Sequence, residues 1–212
     1  MRSEEWVRMI KDSEFTKDEL CWIYCCGMEY KGLLTDPENL TEITKTMLEY
    51  GMNPNQLVTY DYPDKSPEEN FYHIPLISAI RFPDQSAAVE SLKLLLEYGG
   101  NPNTVHNFES SDENDENADN VFHFYCFYEY LDAPDLNSAP FYGLLLCAAY
   151  GGTYADGYNP FEMLIDAPTS IFKDYSRYWY EYEQQENGSN ALFVVEKATG
   201  KRMARYHGYC SE

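Results

Sequence analysis

One stretch occurs twice in this chain. Met47-Leu48-Glu49-Tyr50-Gly51-Met52-Asn53-Pro54-Asn55 returns 48 residues later as Leu95-Leu96-Glu97-Tyr98-Gly99-Gly100-Asn101-Pro102-Asn103. The shared Leu-Glu-Tyr-Gly-x-Asn-Pro-Asn ending is too long for coincidence. It reads as one physical event. A helix shows its last apolar turn, stops at a glycine able to take positive φ, and is followed by an Asn-Pro turn that cannot re-enter the helix. A third, weaker copy ends at Leu144-Leu145-Leu146-Cys147-Ala148-Ala149-Tyr150-Gly151-Gly152. The chain is thereby constrained to stacked, similar helical units.

The segments around these endings supply the rest of each unit. Trp6, Val7, Met9 and Ile10 make residues 3–12 a short amphipathic helix. Thr16 caps a second helix over about 17–28, with Glu19 completing a capping box. Asp36-Pro37 opens a third, whose Leu40, Ile43, Met47 and Leu48 recur on one face before Gly51. Residues 56–72 read as a polar loop, and residues 104–120 as a mobile, exposed one. Residues 120–131 are aromatic-rich. A strand competes with a helix there, and the repeat favours a helix with Asn120 as its cap. Residues 138–149 read as a third outer helix, favoured by the Tyr-Gly-Gly ending, with an inner helix as the alternative because Ala139-Pro140-Phe141 partly mimics Thr-Pro-Leu.

The segment Pro75-Leu76-Ile77-Ser78-Ala79, followed by an outer helix ending Leu-Leu-Leu-Glu-Tyr-Gly-Gly-Asn-Pro-Asn, resembles an ankyrin repeat. Residues 74–103 carry the resemblance best, and residues 37–55 match its outer half. Ile74 and Ile77 stand where the family pattern has Thr and His. The period of 48 to 52 exceeds the family's ~33, with the surplus in the loops after each Asn-Pro turn. The resemblance implies a mainly α, helical-hairpin solenoid of about three repeats that binds proteins. The tail differs. Strands around Tyr178–Tyr182, Ala191–Glu196 and Arg202–His207, with turns at Asn187-Gly188 and Thr199-Gly200, predict a small antiparallel β-meander. The expected division is a repeat domain over 1–166 and a meander cap over 167–212.

Charge narrows the function. The formal net charge is −21, and no Lys or Arg falls between Lys93 and Lys173. Nucleic acid and anionic membranes would be repelled. A basic protein is the complementary partner, and the most anionic stretches are the two long loops. Asp61, Asp64, Glu68 and Glu69 lie on the first, with Tyr60 and Tyr62 beside them. Glu109, Asp112, Glu113, Asp115, Glu116 and Asp119 lie on the second, beside Phe108. Carboxylates without neutralising lysines can occupy a groove made for a phosphate backbone, and the aromatics can supply desolvated anchors. The expectation is a non-enzymatic inhibitor of a nuclease or similar protein, of the toxin-immunity or anti-CRISPR kind. A general adaptor with incidental acidity is the alternative.

Other chemistry is poorly supported. Cys21, Cys25 and Cys26 cluster, but no Cys-x-x-Cys pair or suitably spaced histidine completes a zinc site. The loop at 109–119 lacks the EF-hand spacing for calcium. No nucleophile elbow, phosphate loop or metalloprotease motif occurs, which leaves a thiol enzyme at Cys25 or Cys126 as a remote reading. No metal and no cofactor is expected. The opening Met1-Arg2-Ser3-Glu4-Glu5 has no apolar segment, and the longest apolar run, Phe141 to Tyr150, is too short for a span. The expected location is the cytoplasm.

Overall fold

A computed structural model describes residues 3–12, 15–27, 40–60, 71–82, 84–105, 120–122, 139–153, 173, 177–184 and 190–207. The chain is mainly helical, with two small antiparallel sheets. Helix α1 spans Ser3–Asp12 and turns Trp6, Val7 and Ile10 inward. Helix α2 spans Lys17–Trp22. The Thr16 hydroxyl accepts from Glu19 N–H (3.2 Å), while the Glu19 carboxylate accepts from Thr16 N–H (2.8 Å), completing the capping box. Those bonds to Thr16, backbone first, hold the Glu19 carboxyl below its ordinary pKa. The segment expected to continue as α-helix to about residue 28 instead widens to a π-turn over Ile23–Gly27. The opening of the third helix at Asp36-Pro37 lies outside the described residues. Its described part, α3, runs Leu40–Glu49.

Where a polar loop is expected over 56–72, the ends of that stretch form a ribbon. Strand β1 (Val58–Tyr60) pairs antiparallel with β2 (Phe71–His73), in the register Val58↔His73 and Tyr60↔Phe71. Three-residue strands leave no alternation to read. Their β-branched and aromatic residues become strands because the next unit holds both ends together. Helix α4 (Pro75–Ser78) follows, with Pro75 in its first turn, and tightens into a 3-10 turn over Ala79–Arg81. Ile74 caps α4 without a side-chain hydrogen bond. Ile74 and Ile77 are both buried, so apolar burial stands where a Thr–His pair would have bonded. Helix α5 (Gln85–Glu97) starts at Asp84, whose carboxylate accepts from Ala87 N–H at 2.7 Å. Asn120 forms an isolated bridge, Val121 and Phe122 are helical, and residues 123–131 lie outside the described residues. Helix α6 runs Ala139–Ala149.

The helices form two layers. In one, α1, α3, α5 and α6 pack in chain order, each against the next. In the other, α4 packs against the π-turn that ends α2 and against α5. Between them lies one apolar core, to which α3 contributes Ile43, Met47 and Leu48 and α5 contributes Leu92, Leu95 and Leu96. Each such side chain stabilises by about 1.5–3 kcal/mol on full burial. Three hydroxyls are buried at the junction of the layers. Thr44 Oγ1 lies 2.8 Å from the Leu40 carbonyl, 3.1 Å from Ser91 Oγ and 3.4 Å from Tyr24 Oη. A carbonyl only accepts, so Thr44 donates to Leu40 and receives protons from the other two. Burial pushes the Tyr24 phenol well above its ordinary pKa.

The tail forms the expected meander, β3 (Tyr178–Gln184), β4 (Asn190–Glu196) and β5 (Arg202–His207), in the order β3-β4-β5. Its Tyr178 and Val194 join the same core as the helices. Among the described residues no helix is long and apolar enough to cross a membrane.

Candidate protein-binding edge

The repeated ending builds the same helix stop three times. Gly51, Gly99 and Gly151 take φ of 95°, 94° and 86°. In each, the glycine N–H reaches back to Leu48, Leu96 or Ala148, and the following N–H reaches Met47, Leu95 or Cys147, at 2.8–3.1 Å. This is the Schellman arrangement, which satisfies carbonyls a helix end leaves open. The second residue of the pair has a different reason to be glycine in the later copies. A Cβ on Gly100 would stand 3.0 Å from Leu76 Cδ2, and one on Gly152 only 2.6 Å from Phe122 Cδ2. The first copy holds Met52 there, buried in the core.

The last asparagine of the first and second copies then ties its unit to the next. Asn55 Nδ2 donates to the Gly99 carbonyl (2.9 Å), and its Oδ1 accepts from Asn101 N–H (2.6 Å) and the Thr104 hydroxyl (3.2 Å). Asn103 repeats this with the Gly151 carbonyl (2.9 Å) and Thr153 N–H (2.8 Å). The first asparagine of each turn folds the backbone locally, Asn53 and Asn101 accepting from the N–H groups of Asn55 and Asn103 at 3.0 Å. The result is a ladder of asparagines along one edge, with the three outer helices ending on it.

The two anionic loops leave from this ladder. The first is rooted in the β1–β2 ribbon, three residues past Asn55. The second is rooted in the bridge Val105↔Asn120, two residues past Asn103, closed by Val121 N–H to the Thr104 carbonyl (3.1 Å). The Asn55–Thr104 bond joins one root to the other. Asn120, expected to cap a helix, also donates through Nδ2 to the Thr153 carbonyl at 2.7 Å. Asp61, Tyr62, Asp64, Glu68 and Glu69 of the first loop lie outside the described residues, as do Phe108, Glu109, Asp112, Glu113, Asp115, Glu116 and Asp119 of the second. Tyr60 closes β1 by its backbone.

Described residues missed in the sequence reading join this edge. Leu57 and Val105, each two residues beyond a ladder asparagine, are 42% and 54% exposed beside the loop roots. Tyr50 and Tyr98, at the helix stops, are 46% and 44% exposed. The repeat itself was the signal for both pairs, because equivalent positions in stacked units fall in a row. Helices α3, α5 and α6 have no basic residue in their last turn, and α3 and α5 end in exposed glutamates, Glu49 and Glu97. A carboxylate at a helix C-terminus opposes the macrodipole, costing about 0.3–1 kcal/mol. Two of the three helix ends on this edge thus carry an exposed carboxylate, while Lys17 lies against Gly51 at the first stop and Lys173 over the Tyr150 ring at the third.

The cysteines are placed differently. Cys21, Cys26 and Cys147 are buried, and burial raises the Cys21 thiol while its Sγ donates to the Asn53 carbonyl at 3.5 Å. That environment favours the inert thiol over the thiolate. Cys25 is half-buried, and Cys126 lies outside the described residues. Among the described residues no group of three or more His, Cys, Asp or Glu side chains is placed to hold a metal ion. Compared with protein-family models, with curated proteins and with solved structures, the chain matches none.

Proposed function

We propose that this chain is a non-enzymatic binding protein, built on degenerate ankyrin-like repeats, that inhibits a basic nucleic-acid-binding protein by occupying its nucleic-acid surface. A nuclease is the most natural target, as in toxin-immunity or anti-CRISPR pairs. The observation that carries the reading is the shared root of the two anionic loops. Asn55 bonds Thr104 where the second loop begins, three residues before the ribbon that begins the first. Two carboxylate-rich segments thus leave the scaffold from one edge and can act on one partner surface. The net charge of −21 supports the choice of partner. Apolar Leu57 and Val105 at the roots offer area that a desolvated interface needs and that charge alone lacks.

The test begins with capture of partners from a lysate of the organism that carries the gene, eluted by a salt gradient. Association of the eluted protein is then followed by surface plasmon resonance. Reversing the six carboxylates Glu109, Asp112, Glu113, Asp115, Glu116 and Asp119 to lysine is expected to slow association at least ~tenfold at low salt and to flatten its salt dependence. Unchanged kinetics would exclude this loop, and an affinity indifferent to salt would favour an adaptor of incidental acidity.

A further inference from the structure

A sheet edge is a row of backbone donors and acceptors, and the register of the meander shows where β3 points its own. The Lys197 N–H donates to the Arg177 carbonyl at 2.8 Å, in line with the pairs Trp179↔Val195, Glu181↔Phe193 and Glu183↔Ala191. Facing residues of an antiparallel ladder exchange bonds at every second pair. The odd-numbered residues of β3 therefore bond β4, and the N–H and C=O groups of Tyr178, Tyr180, Tyr182 and Gln184 point the other way. Strand β4 agrees, because its even-numbered Glu196 turns its N–H to the Lys201 carbonyl just before β5 (2.9 Å). Among the described residues none bonds the outward groups of β3.

The other described edges are guarded in ways that this one is not. Strands β1 and β2 are only three residues long. Strand β5 carries Arg202 and Arg205, and a bulge between Val194 and Val195 lies on its side of the sheet. Short strands, cations and bulges are what blunt an exposed edge against pairing. Strand β3 runs seven residues, Tyr-Trp-Tyr-Glu-Tyr-Glu-Gln, with no proline, glycine, lysine or arginine.

The charge of β3 says what fits it. Trp179, Glu181 and Glu183 lie on the face opposite Tyr178, which is buried in the core. Trp179 is 45% exposed, and both carboxylates remain partly exposed. Arg202 reaches them from β5, its Cζ 3.9 Å from the centroid of the Phe193 ring and its Nη2 3.3 Å from Glu181 and 2.8 Å from Glu183. This face thus already takes a cation from one side. A strand added on the other side would set alternate side chains within ~5.5 Å of Trp179, Glu181 and Glu183, and an indole face and two carboxylates suit lysine or arginine. A second copy suits them poorly. Pairing β3 with β3 would set like carboxylates against each other, and each chain carries −21.

We infer that the outer edge of β3 takes an extended segment of the basic partner as a fourth strand, with lysine or arginine at alternate positions facing Trp179, Glu181 and Glu183. The inference rests on the basic-protein reading but uses the meander rather than the loops, so the two can fail separately.

A fluorescein-labelled peptide of alternating Lys and Thr, about ten residues long, is titrated against the full chain by anisotropy at ~50 mM salt. In the added strand each lysine faces the carboxylates and turns its N–H away from β3, while each threonine turns its N–H towards β3. N-methylating the threonines is therefore expected to weaken binding at least ~tenfold, and N-methylating the lysines to leave it within ~twofold. The two methylated peptides carry the same charge, so plain attraction to an acidic protein would not separate them. Amide exchange followed by NMR locates the contact. The N–H groups of Tyr178, Tyr180, Tyr182 and Gln184 are expected to slow about tenfold with the peptide at about ten times its Kd. Equal binding of the two methylated peptides, protection at β5 or the β1–β2 ribbon in place of β3, or no binding of the parent peptide would each overturn the inference. Edge amides already protected in the chain alone, with a dimer in sedimentation, would give the edge to a second copy and overturn it too. A chain whose six carboxylates at 109–119 are replaced by Asn and Gln separates this edge from the loops. A preserved preference between the methylated peptides sustains the edge, whatever the overall affinity does. Affinity lost with the loop charge, and no preference in either chain, sustains the loop reading and sinks this one.

Discussion

The smallest scale at which this fold is decided is the amide of an asparagine. Asn103 offers one donor to the Gly151 carbonyl and one acceptor to Thr153 N–H, bonding the end of α6 on both sides of its turn. Asn103→Ala is expected to cost about 1–3 kcal/mol in urea unfolding, the sum of two or three neutral hydrogen bonds. Asn103→Asp is expected to cost at least as much, since it removes the donor and sets a carboxylate against a carbonyl at a helix C-terminus. The hydroxyls of Tyr24, Thr44 and Ser91 decide stability in another way, by pH. An unfolded tyrosine titrates near ~10, while burial raises the pKa of Tyr24. Its contribution is full below pH ~10 and is lost as pH climbs towards the folded-state value. Tyr24→Phe is therefore expected to lower stability at neutral pH by about 1 kcal/mol, yet to make melting temperature fall less steeply above pH ~10. Parallel melting curves for the two proteins across that range would contradict the assignment.

At the scale of elements, the helix ends were the most legible part of the chain and the short strands the least. A capping box and a glycine stop are local chemistry, so Thr16, Glu19, Gly51, Gly99 and Gly151 could be read from their neighbours alone. The meander was legible for the same reason, its turn residues and alternating aromatics being contiguous. Strands β1 and β2 were not, because three residues carry no period and the two are joined only by the fold. The π-turn over Ile23–Gly27 was equally hidden, being a local adjustment of an element whose helical pattern it does not alter. The second glycine of the Gly-Gly pair can be tested at this scale. A Cβ on Gly152 would meet the Phe122 ring at 2.6 Å and the Cys147 carbonyl at 2.9 Å. Gly152→Ala is expected to destabilise by about 1–3 kcal/mol through overpacking, measured by thermal or denaturant melts. Gly152→Ala with Phe122→Leu, which makes room, is expected to recover part of that loss.

For the whole molecule, the decisive feature is a layer of outer helices that all end on one edge. Stacking α3, α5 and α6 brings together their glycine stops, the exposed Tyr50 and Tyr98, and the roots of both anionic segments. The candidate loop residues themselves were legible as charge, while the scaffold beside them, Leu57, Tyr98 and Val105, was legible only as repetition.

What the sequence determined by itself was everything carried by near neighbours: where helices stop, which turns follow, how the charge is divided along the chain. The tertiary structure alone decided that Asn55 would hold Gly99 and Asn103 would hold Gly151, and that the Thr44 hydroxyl would accept from Tyr24 and Ser91. Those partners lie 20 to 48 residues apart. A hydrogen bond across such a separation exists only after packing has brought its two ends together, so no local pattern could announce it.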